Sequence, residues 1–181
     1  MSTEFTPAEN DEFVRLLKKI QTNGYWIPEK AWREVHRTLS LPAFELVTLD
    51  REQSIPRILL TRYTGETIPE HKERFHIPGG FGKVPESIQD TCSRIAKDEL
   101  GVDIEYKGVL DIHKWMVDES AIGGLSVFVR CEPAKTIAES ESRRYFTREE
   151  MLALGPKDMA PNHPHRTFAD TYLKQLEMDL T

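Results

Sequence analysis

Between Gly79 and Val102 the chain reads GGFGKVPESIQDTCSRIAKDELGV, and the spacing of a glycine pair, a lone acid, an arginine and a paired acid constrains this stretch more than any other. Gly79 and Gly80 predict a glycine turn whose backbone carbonyls and amides approach a ligand where a Cβ would clash. Ser87 is a helix N-cap, and Asp90, three residues on, makes an approximate capping box. From Ser87 to Leu100 the apolar residues Ile88, Cys92, Ile95, Ala96 and Leu100 fall on one helical stripe, with Gly101 as the stop. Arg94 and Asp98 are four apart and therefore surface neighbours. Asp98 and Glu99 sit at the helix end, with Glu86 just before its start. Hard oxygen ligands of this kind suit Mg²⁺ or Mn²⁺, because Mg²⁺ keeps several waters and takes one or two carboxylates beside substrate phosphates. A solvated helix face produces an acid pair too, so it is the glycines, Glu86 and Arg94 that turn the reading towards a metal-pyrophosphate site.

Gly80, Glu86, Arg94, Asp98, Glu99, Gly101 and Val102 fall on the pattern G-x5-E-x7-R-x-x-x-[DE]-E-x-G-apolar. This pattern resembles the Nudix box, the signature of hydrolases acting on nucleoside diphosphates linked to another group. The resemblance covers roughly residues 41 to 178. It implies an α/β fold, the Nudix α/β/α sandwich with a mixed β-sheet. It also implies a metal held by the Gly80 carbonyl, Glu86, Asp98 and Glu99, with Arg94 orienting the acids and Glu99 least dispensable. One position departs from the family: the residue after the arginine is Ile95, where catalytic members usually carry a Glu. Ile95 neither binds a cation nor takes a proton from water, so the base lies elsewhere or nothing is hydrolysed. A similar loss occurs in GDP-mannose mannosyl hydrolases, which attack the sugar carbon. The loop histidine of those enzymes has Ser140 near its place here.

Outside the box, Glu139 and Glu141 lie in AESESRRYF, a loop before a strand from which such enzymes draw a further base or metal ligand; an exposed loop has the same composition. His163 and His165, fixed by prolines in APNHPHR beside Arg166, suit a base and a phosphate clamp, or an exposed linker. His113, in DIHKW, is a substrate contact or a structural histidine. Arg57, Arg62, Arg74 and Lys83 are candidates to neutralise a pyrophosphate, and Trp26, Trp32, Tyr63 and Trp115 to stack on a base. The proline-bearing signatures that follow the box in the ADP-ribose and NADH branches are missing, since no Pro occurs between Val102 and Glu132. A nucleoside diphosphate sugar, GDP-mannose-like, is therefore the expected substrate.

At 181 residues the chain suits one well-packed domain, expected over 41–181, preceded by a helical extension over 1–40 that packs on the domain or on a second subunit. A homodimer is expected. The net charge of -6 speaks against a nonspecific nucleic-acid binder, which presents a basic face. No basic-then-apolar leader opens the chain and no apolar run approaches the roughly 20 residues of a membrane span, so a cytoplasmic protein without membrane contact is expected. Cys92 and Cys131 are expected as buried thiols. Predicted helices cover Asn10 to Thr22, Ser87 to Leu100, a segment capped by Thr147, and about Thr167 to Met178. Predicted strands cover Leu41 to Leu49, Arg57 to Tyr63, Phe75 to Ile77, one or two within Ile104 to Val117, Leu125 to Cys131, and Arg144 to Phe146. Two functions follow: a Mg²⁺-dependent hydrolase with its base outside the box, or a non-catalytic Nudix-fold module that binds a nucleotide. The retained acids favour hydrolysis, because carboxylates facing a polyanion need a metal between them.

Overall fold

Alternation along the first strand already divides the molecule into layers. In PAFELV, Phe44 and Leu46 join Cys92, Ile95, Ala96, Val127, Val129 and Cys131 in one apolar cluster, whereas Val47 joins Phe128 on the other side. With a side-chain period of two, these are the two faces of one sheet. The computed structural model describes residues 5–24, 26–38, 41–50, 54–63, 72–116, 123–159 and 163–179.

Two helices come first, α1 (Pro7–Thr22) and α2 (Glu29–Thr38). The strands β1 (Pro42–Val47), β2 (Leu49–Asp50), β3 (Arg57–Arg62), β4 (Phe75–His76) and β5 (Gly79–Phe81) lead into helix α3 (Ile88–Ile95), which runs on as a π turn over Ala96–Leu100. After it come β6 (Ile104–Met116), β7 (Gly123–Pro133), β8 (Arg143–Phe146), α4 (Arg148–Leu152) and α5 (Pro164–Met178). One four-stranded sheet has the order β5-β1-β7-β6 and is mixed, with β1 parallel to β7 and the other pairs antiparallel. The second joins β2, β3 and β4, with β8 also on β3, and is antiparallel throughout.

Both sheets lie in one middle layer. On one side, Ile58, Leu60, Val47 and Phe128 pack with Phe168, Ala169 and Leu173 of α5. On the other, the first sheet meets α3 through Cys92, Ile95 and Ala96, while Leu59 and Tyr145 of the second sheet meet Leu100 just beyond α3. This is the expected α/β/α sandwich with a mixed sheet. Among the described residues no helix is long and apolar enough to cross a membrane.

The local signals act as expected around α3. Ser87 accepts from Asp90 N at 3.1 Å while Asp90 Oδ2 accepts from Ser87 N at 3.2 Å, and Gly101 stops the helix at φ 68°, a conformation glycine adopts at little cost. Thr6 and Thr147 form the same capping boxes on α1 and α4, so α1 begins at Pro7, three residues ahead of the expected start. Cys92 and Cys131 are buried free thiols.

Two expectations are corrected. The single strand expected over Leu41 to Leu49 breaks at Thr48, where the chain passes from one sheet to the other and Leu59 N donates to the Thr48 carbonyl. Gly79 and Gly80 form no turn: they lie in β5, antiparallel to β1, with Gly79 opposite Glu45 and Gly80 opposite Phe44. Helix α2 precedes β1, and its buried Trp32 meets Phe81 edge-on at 6.1 Å. Ile104 to Met116 is one bulged strand. The polar segment DESAIGG between β6 and β7 falls largely outside the described residues, as do Arg51, Glu52 and Gln53 between β2 and β3.

Candidate active site

The chain leaves the second sheet at His76, passes Ile77 and Pro78, and enters the first sheet at Gly79. Side chains from five elements converge on this short passage.

Glu45, in the middle of β1, is 4% exposed. Its Oε1 accepts from Ser126 Oγ at 3.1 Å and lies 3.2 Å from His165 Nε2. The Ile77 amide donates to His165 Nδ1 at 3.1 Å, so that nitrogen is an acceptor, the ring is neutral and Nε2–H donates to Glu45. Glu45 Oε2 lies over Gly79: a Cβ built there would stand 1.9 Å from it and 2.9 Å from the Phe44 carbonyl oxygen. Only glycine fits opposite this carboxylate. Burial pushes the Glu45 carboxyl up to about 7, against the opposing pull of the His76 charge and the Ser126 hydroxyl.

Glu99 arrives from the π turn. Its carboxylate accepts from the Gly79 amide, and Thr61 Oγ1 donates to it across a long 3.5 Å; Thr61 Oγ1 also stands 3.3 Å from Nε2 of His76, its partner across the β3–β4 ladder. Glu99 keeps an exposed flank, yet protein atoms crowd its carboxyl. Lost hydration raises it to about 8, with the like charge of Glu45 adding to the rise. Glu45 and Glu99 thus meet at one residue, Gly79. Its missing side chain leaves the space that the Glu45 carboxylate occupies.

Of the residues expected as metal ligands, Glu99 lies in this site and the Asp98 side chain beside it is 67% exposed, 3.9 Å from Arg94. Gly80 is the next residue of β5, and a Cβ built on it would meet Ile95 Cγ1 at 3.4 Å. Glu86 is corrected. It accepts from Arg94 Nε at 2.7 Å and Nη2 at 2.9 Å, from Thr91 Oγ1 at 3.0 Å and from Lys83 N at 3.2 Å, a set that engages both oxygens and fastens the loop to α3. The Arg94 hydrogen bonds hold its carboxyl down at about 2. Arg94, expected to orient the acids, also donates to the Phe81 carbonyl at 2.8 Å, so its work is to tie β5, the loop and the helix together.

The remaining candidates go elsewhere. Glu139 Oε1 accepts from Tyr145 N at 2.8 Å and stands 3.6 Å from Arg57, which pairs with Asp50. His163 is the N-cap of α5, accepting from His165 N at 3.3 Å; the proline-fixed loop therefore delivers His165, not His163, to the site. Arg62 follows Thr61 and so points to the opposite face of the sheet, where it lies over Phe75 at 4.2 Å. There it lines an open groove of about 570 Å³ with Glu141, Arg144 and Asp158. A second hollow, of about 400 Å³, is lined by Lys97, Asp103 and Lys135, and neither hollow includes Glu45 or Glu99. Arg74 lies between Glu73 and β4, its carbonyl accepting from Tyr63 N at 2.8 Å. His113 is exposed on β6, opposite Ser126. The Trp115 side chain and Ala160, Pro161 and Asn162 lie outside the described residues.

Glu45, Thr61, His76 and Ser126 were not expected in the site, whereas His165 was one of the two histidine candidates of the proline-fixed loop. Only Glu45 carries a readable signal, a lone acid inside the apolar run AFELV.

Among the described residues, no three His, Cys, Asp or Glu side chains are grouped to enclose a metal ion. Mg²⁺ does not need a closed cage: one or two carboxylates with waters and substrate phosphates satisfy it. Two carboxylates brought to one glycine, one over its Cα and one on its amide, are a donor set of that kind, and a divalent cation fits it.

No family model matches the chain, and no curated protein matches it in sequence. Solved structures do match in fold. A Nudix hydrolase from Nitrosomonas europaea aligns with a TM-score of 0.58 at 15% identity, over 76% of this chain and 90% of that one. The Nudix domain of Shewanella oneidensis NrtR complexed with ADP ribose aligns at 0.57 and 15%, over 76% and 89%. A UDP-X diphosphatase aligns at 0.54 and 14%, over 97% and 85%. Likeness at such identities is likeness of fold: the chain has the Nudix fold.

Proposed function

We propose that this protein is a divalent-metal-dependent hydrolase that cleaves a nucleoside diphosphate derivative, with a nucleoside diphosphate sugar as its substrate class. The observation that carries the reading is the meeting of Glu99 and Glu45 at Gly79 in a passage between two sheets. Two carboxylates forced together have little use for a polyanionic substrate without a cation between them. Among structures of similar fold, one is described as a UDP-X diphosphatase and another as a complex with ADP ribose, which supports a nucleoside diphosphate ligand.

In this reading Glu99 and Asp98 hold Mg²⁺ or Mn²⁺. The ion, when bound, neutralises pyrophosphate charge as the leaving group departs. Arg94 and Glu86 keep β5 and the box helix in fixed relation. Proton removal falls to a group outside the box, since Ile95 has no acceptor. His76, joined to Glu99 through Thr61, is our candidate for it. Residues 1–40 form an extension outside the hydrolase unit of 41–181. Phe13, Leu16 and Leu17 of α1, exposed among the described residues, support a homodimer through that extension.

A second reading, a nucleotide-binding module without turnover, is favoured by one observation, the burial of Ile95 where a carboxylate is usual. A screen of nucleoside diphosphate sugars and dinucleotides with Mg²⁺ or Mn²⁺, following phosphate and free sugar, separates the two. Metal-dependent product from at least one nucleoside diphosphate sugar is expected. Saturable binding with no product from any compound overturns hydrolysis in favour of the module.

A further inference from the structure

We propose that Glu45, from β1 of the mixed sheet, is a further protein carboxylate on the divalent cation, joining the box acid Glu99 at Gly79. This rests on the metal-dependent reading above.

The geometry is that of an oriented ligand. The contacts of Glu45 with Ser126 and His165 both fall on Oε1, while Oε2 lies towards Gly79. His165 is itself held by the Ile77 amide, so the carboxylate is backed by a chain of fixed donors. Such backing is what orients metal ligands elsewhere in proteins. Because the Ile77 amide makes His165 a neutral donor, the ring fixes Glu45 without cancelling its charge. A carboxylate 4% exposed and oriented in this way is costly to keep unless a positive charge completes it.

Ile95 lies against Gly80 on the α3 face of the sheet, while Glu45 Oε2 lies against Gly79 on the opposite face, so this carboxylate reaches the passage from the α5 side. The Gly79 amide binds Glu99, so the glycine that leaves room for Glu45 also anchors the box acid. Ile95 itself closes the apolar cluster with Leu46 and Val127, and offers nothing to this space.

Binding of Mn²⁺ alone, read by electron paramagnetic resonance and by calorimetry, tests the assignment without reference to turnover. Glu45→Gln keeps an oxygen for Ser126 and His165 and removes a buried charge, so it is expected to fold, with its thermal melting as the check. We expect Mn²⁺ affinity to fall by more than about tenfold in Glu45→Gln, and by a similar factor in Glu99→Gln. Ser126→Ala keeps both carboxylates and removes one orienting bond; a loss of about tenfold is expected there. Should Glu45→Gln fail to fold, Ser126→Ala decides: wild-type affinity in it overturns the assignment. Undiminished Mn²⁺ affinity in folded Glu45→Gln, with loss in Glu99→Gln, overturns the role of Glu45 and leaves the metal-dependent reading standing. No Mn²⁺ binding by the wild-type protein removes both.

Discussion

Ile95 is 2% exposed, and its neighbours Leu46, Cys92, Val127 and Val129 come from α3 and both central strands of the mixed sheet. The residue is a core side chain. Restoring the usual box acid with Ile95→Glu therefore buries a carboxylate among apolar groups. A cost on the order of 3 kcal/mol is expected, or a melting temperature lower by about 10 °C, with no gain in Mg²⁺ affinity. Unchanged melting together with tighter Mg²⁺ binding contradicts this and returns the position to the metal site. At this scale the sequence was readable in part. Glu99 and Asp98 are legible because their spacing to Arg94 and Gly80 lies within one helix and its flanks. Glu45 and His165 are 120 residues apart, and only the topology that brings β1 beside the start of α5 joins them. The donors around Glu86 were not legible for a related reason: pattern fixes where an acid stands, but not how many donors already surround it.

The box helix is an element held at both ends. Ser87 and Asp90 cap its start, Gly101 ends it, and the Arg94 to Glu86 pair binds it to the loop that follows β5. Glu86 is held well below the usual carboxylate range, at about 2 from an ordinary 4.5. A depressed folded-state value means that the pair contributes its full stability above pH 4.5 and loses it as pH falls towards 2. Glu86→Gln should therefore be less stable than wild type at pH 7 by on the order of 3 kcal/mol, with the gap closing between pH 4.5 and 2. Denaturant unfolding at a series of pH values measures it; a gap that persists unchanged at pH 2 contradicts the ionic origin. Caps and stops of this helix follow from local chemistry and were legible. The break of the first strand at Thr48 and the strand at Gly79 were not, since both depend on which distant strand the backbone pairs with.

Taken whole, the molecule places its site at a seam. Two sheets share the middle layer, α3 and α5 cover its faces, and the passage from His76 to Gly79 joins one sheet to the other. The layered architecture was legible from strand and helix order with a single box helix. The seam was not, because a single mixed sheet was expected and no sequence period marks where a sheet divides. Glu99 is the residue at which box, seam and proposed metal coincide. The most direct test is the rate of metal-dependent hydrolysis of a nucleoside diphosphate sugar by Glu99→Gln against wild type, under saturating Mg²⁺ and with matched thermal melting. A folded variant whose rate falls by at least about a hundredfold is the predicted result. A folded Glu99→Gln that turns over substrate at the wild-type rate contradicts it.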